Sequence, residues 1–580
     1  MISKWWMVCT VVTVLTAGTV CAQEWKVTDS GAVGDGKTDC TTAFQTALDQ
    51  AGKAGGGVVN VPAGKFRING NLVIPGGVTL QGTFRSPPTA HLQGSVLLAF
   101  AGRGNPKDKP FIRLGGHNAT ISGIIITYPE WKQSDVPPVS YPPCIYARDA
   151  DNTAVLDCLL LNPYEGIRME RAGRSLIRNV YGYPIFRGLY VDECYDIGRV
   201  ENCHFWPFGV HYNQEDPYCK WINVNGVAFE FARTDWHYVY NTFCFGYGVG
   251  YKFSQSKAGA CNGNFLGIGA DCCRRAVLVE QAQAPGLLIT NGEFVGRWGS
   301  EDSVCLEIAD SSGGKVSLTN CSFWGPIDRC VWMRAASAQF TANATHFLHW
   351  DNHNQNSAAI QLDAGKAIVQ GCTFGNGDTC VQVGPKVKSA ILMGNQAADG
   401  FTVDNQAGKR TQMVGNEGPS VEWTDQVRAH YQIDIGADGD GRMIRDFHGP
   451  EKGAGAGILS TMRWTQTRSR LILPTLKNTD YTLTLQMAVP AAAVDETAGI
   501  YLGEQRIAEF KADTHNLSLN FRSGDTESVV LEIRCKGWIP RKVFPGNQDD
   551  RTLGVQLFGA TMKSKSADAE LFSANTGQRL

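Results

Sequence analysis

The sequence predicts an all-β protein in which a parallel β-solenoid with a helical cap is followed by an antiparallel β-sandwich. One sequence phrase recurs between about residues 140 and 405, often at steps near 22 residues. Beyond residue 415 the phrase stops, and apolar and polar residues alternate instead. The 580 residues exceed one ordinary domain, and 65 glycines with 14 tryptophans indicate a turn-rich chain with many aromatic faces.

The first 22 residues predict a cleaved signal peptide. Lys4 supplies the charge, residues 5–20 are apolar, and Val20-Cys21-Ala22 precedes a cleavage site at Gln23. We therefore expect a secreted or periplasmic protein. No later stretch is apolar enough to span a membrane.

The β-helix domain is predicted over residues 23–415 and begins with a capping helix. Asp39 or Thr41 can cap the start of this helix, and Phe44, Ala47 and Leu48 lie on one face. The glycine run at residues 55–57 ends it, and the strands VVNV and KFRI follow. Such a helix covers unpaired strand edges at the open end of a solenoid.

The repeated phrase consists of an aliphatic strand, Asn or Gly, Cys or a small residue, an aromatic, a turn and a second strand. A period in the low twenties with short strands is typical of a parallel solenoid. A longer step is assigned to an insertion at residues 214–233. The predicted openings of the second strands are Ile145, Ile167, Leu189, Val210, Val249, Val277, Val304, Val331, Ile360, Val381 and Phe401.

Cysteines recur within this phrase. Removal of the signal peptide leaves 16 of the 18 cysteines, and no CxxC spacing suggests zinc. We expect stacked, buried thiols, with a few disulfides left open. The cysteines predicted to share one position are Cys158, Cys203, Cys321 and Cys372, and Cys330 and Cys380 share another.

Residues 420–565 predict the sandwich, and residues 566–580 a flexible tail. Several phrases in this region are similar to a jelly-roll module found on carbohydrate-active proteins. Trp464 and Trp538 are candidate sugar-stacking platforms, and a purely structural role is the alternative.

The entry to the solenoid resembles that of the pectate-lyase-like, or rhamnogalacturonase/epimerase-type, right-handed parallel β-helix proteins. This resemblance implies a pectin-lyase-like fold over about residues 25–415 and leaves the chemistry open among hydrolases, lyases, epimerases and phage tailspikes. The residues that carry the resemblance are Asp29, Gly31, Ala32, Gly34, Asp35, Gly36, Asp39, Thr42, Ala43, Phe44, Gly56, Gly57, Pro62 and Gly64.

Strand alternation predicts the functional surface. If Ile167 and Met169 point inward, Arg168 and Glu170 point outward, and the same phase gives an outward stripe of mixed aromatic and charged groups. The candidate catalytic residues are Glu170, Asp192 and Glu280. The candidate substrate-binding residues are Arg148, Arg168, Tyr190, His211, Asn213, Trp236, Lys252, Trp332 and Arg334.

Paired carboxylates on adjacent coils suit glycoside hydrolysis. Glu170 and Asp192 would have backbones about 4.8 Å apart, which is compatible with a retaining or an inverting geometry. Arg148 and Arg168 would orient a uronate or sulfate, or form a surface ion-pair network. The favoured function is therefore a secreted glycoside hydrolase acting on a polysaccharide.

A polysaccharide lyase is the first alternative, with Lys252, Arg168 or His211 as base and an arginine or Ca²⁺ neutralising a uronate. A non-catalytic glycan-binding surface protein is the second. The GHG and RIK motifs of polygalacturonases do not occur. The loop acids that rival the stripe are Asp216, Asp235, Glu293, Asp302, Asp328 and Asp351, and the turn at residues 349–353 is a weak candidate for sugar or metal binding.

Charge and composition limit the classes of molecule that the protein is expected to bind. With 53 Lys and Arg against 55 Asp and Glu, the formal net charge of −2 argues against nucleic acid. We expect a polysaccharide partner, no metal ligands and no cofactor, with Ca²⁺ only in the lyase alternative. The sugar, the linkage, the stereochemical outcome and the oligomeric state stay open.

Overall fold

The computed structural model describes residues 24–580, except for 88–90, 301, 377–378, 399, 418–420, 438, 456–457 and 566–569. The predicted signal peptide lies outside the described residues. Within them, no helix combines the length and apolarity needed to cross a membrane.

The predicted fold class is confirmed: the first unit is a parallel β-helix with three faces. The first sheet contains Leu72–Ile74, Ile112–Leu114, Pro143–Arg148, Glu165–Glu170, Arg187–Asp192, Val227–Phe231, Val249–Phe253, Arg275–Val279, Val304–Ile308, Arg329–Met333, the starts of Ile360–Gln370 and Val381–Met393, and Val403–Asn405.

The second and third sheets complete each coil. The second contains Glu24–Lys26, Gly57–Asn60, Val78–Gln81, Thr120–Ser122, Ala154–Leu161, Leu176–Gly182, Arg199–Glu201, Thr234–Tyr240, Cys261–Leu266, Ala282–Thr290, Lys315–Thr319, Gln339–Asn343, the ends of Ile360–Gln370 and Val381–Met393, and Thr411–Val414. The third contains Asp35–Asp39, Gly64–Ile68, Ser95–Ala99, Ile125–Thr127, the ends of Ala154–Leu161 and Leu176–Gly182, His204–Phe205, Phe243–Phe245, Gly269–Asp271, Glu293–Val295, Ser322–Trp324, His346–His349, Thr373–Asn376 and Gln396–Ala397.

The interior consists of apolar side chains stacked from coil to coil. Rings of Phe205, Phe229 and Tyr251 stack in sequence with centroids 4.8 and 5.0 Å apart. All three are fully buried, and each such side chain contributes about 1.5–3 kcal/mol of burial free energy. The strands therefore keep their register because a one-residue slip would expose the whole stack.

An asparagine ladder forms the bend between the second and third sheets. Asp157, Asn179, Asn202 and Asn241 all have positive φ there, a conformation that asparagine and aspartate tolerate better than most residues. The amide of Asn179 donates to Asp157, that of Asn202 to Asn179, and that of Asn241 to Asn202, at 2.8–3.1 Å. The ladder links successive coils at this bend.

The helical cap spans Thr41–Lys53 and buries Phe44, Ala47 and Leu48, as predicted. Asp39 lies just before the helix, where its Oδ1 accepts hydrogen bonds from the backbone N–H and hydroxyl of Thr41. Glycine is required at Gly56, because its φ is +125° and an added Cβ would lie 2.7 Å from the carbonyl oxygen of Gly77.

The prediction of a strand opening at Val210 is wrong. Residues 206–216 contain no strand, and a helix at Pro217–Asn225 follows them, with Asp216 as its N-cap. Phe229 occupies the position after Leu189 in the first sheet. The strands predicted to open at Val249 and Val304 do begin there, although Tyr251 and Leu306 hold the register position of Val277. The predicted opening at Phe401 is displaced, because that strand begins at Val403.

All 16 cysteines in the described part of the chain are buried, and none of them forms a disulfide. The predicted thiol stack is interrupted, since Val180 lies between Cys158 and Cys203. Two strand spacings put those two backbones about 9.6 Å apart, beyond the reach of a disulfide.

The C-terminal unit packs two mainly antiparallel sheets around its own core. Its 17-residue strand Ile458–Pro474 pairs with both sheets. Trp538 is buried in this core, so its predicted role as a sugar platform is wrong. The other strands of this unit are His430–Asp434, Ile444–Phe447, Glu451–Gly455, Asp480–Ala488, Gly499–Leu502, Gln505–Glu509, Asn516–Arg522, Ser528–Arg534, Gln556–Ser564 and Phe572–Ser573. Its short helices are Asp425–Ala429, Asp440–Arg442, Ala491–Ala493 and Pro540–Val543, and a further short helix, Gly408–Arg410, lies in the last coil of the β-helix.

Candidate active site

The outward side chains of the first sheet form a surface that we name the charged face. Its main row follows the strand register from one coil to the next, and a second row places Arg148 beside Glu170 and Glu170 beside Asp192. The main row contains Arg113, Tyr146, Arg168, Tyr190, Glu230, Lys252, Leu278, Glu307, Trp332, Gln361, Gln382 and Asp404.

Glu165 is the buried centre of the charged face, with only 5% of its surface exposed. Arg168 binds both of its carboxylate oxygens, at 2.8 and 2.9 Å. Arg187 donates to Oε1 of Glu165 at 3.0–3.1 Å and extends to Glu230 at 3.2 Å. These contacts hold the two guanidinium groups in fixed positions on adjacent coils.

Glu170 lies beside this centre with a partly accessible carboxyl group. Its Oε2 accepts a hydrogen bond from the hydroxyl of Tyr146 at 2.7 Å. The guanidinium groups of Arg148 and Arg168 each lie 3.6 Å from one of its oxygens. The two arginine contacts are too long for strong hydrogen bonds, so Glu170 retains capacity to contact a ligand.

Asp192 has the predicted position, but its carboxylate oxygens have little free capacity to accept further hydrogen bonds. Its Oδ1 accepts the backbone N–H groups of Glu193 and Arg233, at 2.9 and 3.1 Å. Its Oδ2 accepts the hydroxyl of Tyr190 at 3.1 Å. The carboxylate therefore also fixes the turn that ends its strand.

Two tyrosines separate the charged groups. The guanidinium of Arg187 lies 4.4 Å from the ring centre of Tyr190, and that of Arg168 lies 5.6 Å away. Burial raises the pKa of both Tyr146 and Tyr190, and the adjacent carboxylates Glu170 and Asp192 raise it further. Both phenols therefore act as hydrogen-bond donors to those carboxylates.

Glu280 is on the same side of the sheet but too far from Glu170 and Asp192 to act on the same bond. Three strand spacings separate Glu280 from Asp192, about 14 Å. Its carboxylate instead pairs with Lys252 at 3.1 Å. Glu280 is therefore excluded as a direct partner of the Glu170–Asp192 pair.

Trp332 and Arg334 form a separate cluster farther along the charged face, six strand spacings or about 29 Å from Arg168. The ring of Trp332 lies 5.1 Å from the guanidinium groups of both Arg329 and Arg334. Arg334 also binds the buried Glu307 at 3.0 Å. A ligand contacting both ends of the charged face would have to be a polymer.

Three predicted substrate-binding residues lie elsewhere. His211 and Asn213 belong to the irregular segment before the insertion helix, where the backbone of His211 exchanges hydrogen bonds with Gln133. Their place in the stripe is taken by Glu230. Trp236 lies on the second sheet and is 61% exposed, so it does not face Glu170.

Most rival loop acids have structural partners. Asp216 caps the insertion helix, and Asp351 accepts backbone N–H groups of residues 355–357. Asp235 pairs with Arg233, which lowers its pKa, and Asp302 pairs with Arg275. Asp328 is buried and bonded to His353 at 2.7 Å. Glu293 accepts the indole N–H of Trp324 at 2.9 Å and is exposed.

Among the residues that the structure describes, no three or more His, Cys, Asp or Glu side chains are grouped so as to hold a metal ion. In the turn at residues 349–353, His349 accepts the N–H of Gly325 and His353 contacts Asp328.

The sequence-based prediction missed Glu165, Arg187 and Glu230. Glu230 carries a usable signal, since the strand VAFEF alternates and Glu230 lies 22 residues before Lys252, as Arg168 lies 22 before Tyr190. Glu165 and Arg187 have the same separation. Their buried pairing has no signal in the alternation pattern alone.

Comparison with known proteins supports the resemblance at the N-terminus. Residues 25–122 match the family model described as "Rhamnogalacturonase A/epimerase, pectate lyase-like". A 47-residue segment is 57% identical to alginate lyase 7 of Azotobacter vinelandii, covering 8% of this chain and 6% of that protein. A 66-residue segment is 41% identical to mannuronan C5-epimerase AlgE4 of the same organism, covering 10% of this chain and 12% of the epimerase. The chain thus matches only a small part of these relatives.

Similar solved structures cover more of the chain at lower identity. The A-module of A. vinelandii mannuronan C-5 epimerase AlgE6 covers 68% of this chain and 99% of its own, with 16% identity and a TM-score of 0.45. The N-terminal fragment of bacteriophage phi29 gene product 12 covers 67% of this chain and 71% of its own, with 15% identity and a TM-score of 0.47.

Proposed function

We propose that the protein is a carbohydrate-active enzyme that cleaves glycosidic bonds of an acidic polysaccharide on the charged face. The observation that carries this proposal is the arrangement of Glu170 and Asp192 in one register on adjacent strands, beside Arg148 and Arg168. Carboxyl groups supply acid–base catalysis, and guanidinium groups bind uronate or sulfate. The extended row of charged groups suits a polymer.

Hydrolysis is the favoured reaction. Glu170 is the candidate for proton transfer, because its oxygens retain capacity to contact a ligand. Asp192 has the required spacing for the second carboxylate, about 4.8 Å between backbones. Because both oxygens of Asp192 already accept hydrogen bonds, it would have to exchange one of them, such as that of Tyr190, for contact with substrate or water.

Lyase or epimerase chemistry is the second candidate. The names of the partial relatives, alginate lyase and mannuronan epimerase, favour a uronate substrate. In this alternative Arg148 and Arg168 neutralise the uronate carboxylate. His211 lies outside the charged face and no longer qualifies as the base. Arg168 does not qualify either, because, although burial lowers its pKa, its contacts with Glu165 and Glu170 raise that pKa above the ordinary value. Lys252 is therefore the remaining candidate base, and Ca²⁺ is an added requirement to be tested.

The test is a polysaccharide screen of the purified protein and its Glu170→Gln and Asp192→Asn variants. Uronic, sulfated and neutral polymers are incubated with each variant. New reducing ends and the ultraviolet absorbance of unsaturated uronates are then measured, with and without Ca²⁺. Reducing ends without absorbance identify a hydrolase, and both signals identify a lyase. A change in uronate configuration without cleavage identifies an epimerase.

We expect Glu170→Gln to lower kcat by about 10²–10⁴ while binding is retained. Glu201→Gln, on the second sheet, is the matched control and should leave activity unchanged. Full activity in both Glu170→Gln and Asp192→Asn would refute the assignment of the site. Polymer binding without turnover in the wild-type protein would instead support the glycan-binding alternative.

A further inference from the structure

One arginine of the charged face, Arg113, forms neither a hydrogen bond nor an ion pair within the described part of the chain. It is the central residue of the strand Ile112–Leu114, and its side chain is exposed. The charge of Asp149 reaches it only at longer range. Most other cations of the first sheet are bound by a side-chain oxygen within 3.1 Å. These bound cations are Arg168, Arg187, Lys252, Arg275 and Arg329.

Arg148 is the second cation of this sheet with unused donors. Its guanidinium lies 3.6 Å from Glu170 and 3.7 Å from Asp149. Its contact with the hydroxyl of Tyr146 is 3.4 Å long. Charge-assisted hydrogen bonds from guanidinium to carboxylate are about 2.7–2.9 Å long, so none of these contacts is a strong one. Because the side chain is 46% exposed, a ligand can reach its donors.

The strand register brings the two arginines to one place on the outer side of the sheet. Arg113 is opposite Tyr146, and Arg148 lies two residues beyond Tyr146 on the same strand. The alternate residues Leu114 and Ala147 are buried in the core, which leaves both arginines facing outward. Residues two positions apart on adjacent strands share a face, and long side chains reach across the diagonal between them. Both guanidinium groups can therefore contact one anion.

This pair of arginines borders the candidate catalytic carboxyl group. Arg148 is opposite Glu170 on the next strand. Arg113 lies one strand further from Glu170 and is the last charged residue of the main row, because the remaining strand presents the exposed Val73 at that position. An anion held by the two arginines therefore belongs to a sugar beside the bond on which Glu170 would act.

We propose that Arg113 and Arg148 form an anion-binding subsite, which holds the carboxylate or sulfate group of a sugar next to the cleaved bond. This inference rests on the proposed function of the charged face and adds Arg113 as a residue that selects charged sugars. A planar guanidinium offers paired donors that match the oxygens of such an anion. Arg187, by contrast, directs all three of its side-chain nitrogens to Glu165 and Glu230 and is a structural residue.

The test measures polymer binding by calorimetry in the Glu170→Gln background, so that no substrate is consumed. A polyuronate is compared with its methyl-esterified form, and a sulfated polysaccharide with its desulfated form. We expect Arg113→Gln to weaken binding of one anionic polymer by about 10–10²-fold, the range for a hydrogen bond to a charged group. Binding of the neutralised form should not change. The polymer that responds identifies the anion as carboxylate or sulfate.

Arg178→Gln is the matched control. Arg178 is exposed on the second sheet and is likewise without a hydrogen bond or ion pair to any residue that the structure describes. Its substitution removes the same charge and should change the affinity for either polymer little. Arg113→Lys keeps the charge but loses the paired donors, so it should restore only part of the affinity. Unchanged thermal unfolding of these variants shows that the fold is intact.

The inference is wrong if Arg113→Gln binds both anionic polymers as tightly as its parent, or if neither polymer binds to the parent. It is also wrong if anionic and neutralised forms lose affinity equally, or if Arg178→Gln causes the same loss. Failure of the proposed function is recognised separately. The protein with Glu170 intact would then bind an anionic polymer without cleaving it, and the dependence of binding on Arg113 would still be measured.

Discussion

Neutralising Glu165 should destabilise the β-helix far more than neutralising Glu280, although both glutamates pair with cations of the charged face. Glu165 is 5% exposed and accepts contacts of 2.8–3.1 Å from Arg168 and Arg187. The Glu165→Gln variant keeps the size of the side chain but leaves two partly buried guanidinium groups without their shared anion. Removing one partner of a buried ion pair costs about 3–5 kcal/mol.

We expect about 3 kcal/mol for Glu165→Gln, because the remaining amide oxygen still accepts one hydrogen bond. That corresponds to a change of about 10² in the local unfolding equilibrium. Glu280→Gln is the matched control: its side chain is 40% exposed and has one contact, with Lys252 at 3.1 Å. An exposed pair of this kind contributes below about 1 kcal/mol.

Urea denaturation gives the overall cost of each substitution. Because neighbouring coils unfold in partly independent units, native-state hydrogen exchange should be followed in strands Glu165–Glu170 and Arg187–Asp192. Raising the salt concentration should shrink the cost at Glu280 and leave that at Glu165 nearly unchanged. Equal costs for the two variants, or a cost below 1 kcal/mol at Glu165, would refute the assignment of a buried ion-pair centre.

Three further predictions concern other parts of the chain. A thiol reagent should react slowly with the native protein, since burial raises the pKa of thiols such as Cys144 to about 12. After denaturation all 16 thiols should react, and a lower number of reactive thiols would reveal disulfides. Hydrogen bonds from the backbone of Thr38 and Lys37 lower the pKa of Asp35 to about 2, so its contribution to stability is present above about pH 4 and is lost as the pH falls towards 2. Thermal unfolding of wild type and Asp35→Asn should therefore differ at pH 5 and converge near pH 2, and a constant difference would contradict this. Asn202→Ala should lower the free energy of unfolding, measured by urea denaturation, by about 1–2 kcal/mol more than Asn202→Gly does. Both variants lose the ladder hydrogen bonds, and only alanine is strained at a φ of 52°. Equal losses of stability would argue against that strain.

The sequence predicts the fold well because the coil imposes a period. The buried positions at Ile145, Ile167 and Leu189 follow the alternation of their strands, and they also place Glu170 and Asp192 correctly. The prediction fails where the chain leaves the coil. The apolar residues near Val210 imitate a strand, although Pro207 and Gly209 interrupt it and the true strand begins at residue 227.

The alternation pattern does not predict ion-pair partners, because these depend on the conformation of long side chains. Whether Glu165 or Glu170 receives the bidentate contact from Arg168 depends on the rotamer of the arginine, which no periodicity encodes. Period and alternation therefore predict faces, and the contacts within a face need three-dimensional packing.

The asparagine ladder restricts how the length of this protein can change. Asp157 can accept a hydrogen bond from the next coil but has no amide to donate, so it forms a natural first rung. Asn179 and Asn202 both donate and accept, and Asn241 donates to Asn202. Removing one whole coil would bring two equivalent rungs together and keep every strand in phase. Removing a single residue from a strand would move the inward side chains beyond that point to the outer face and the outward ones into the core. The coiled part can therefore gain or lose residues only in whole coils. A surface loop, such as the one around the helix Pro217–Asn225, can instead change its length by single residues.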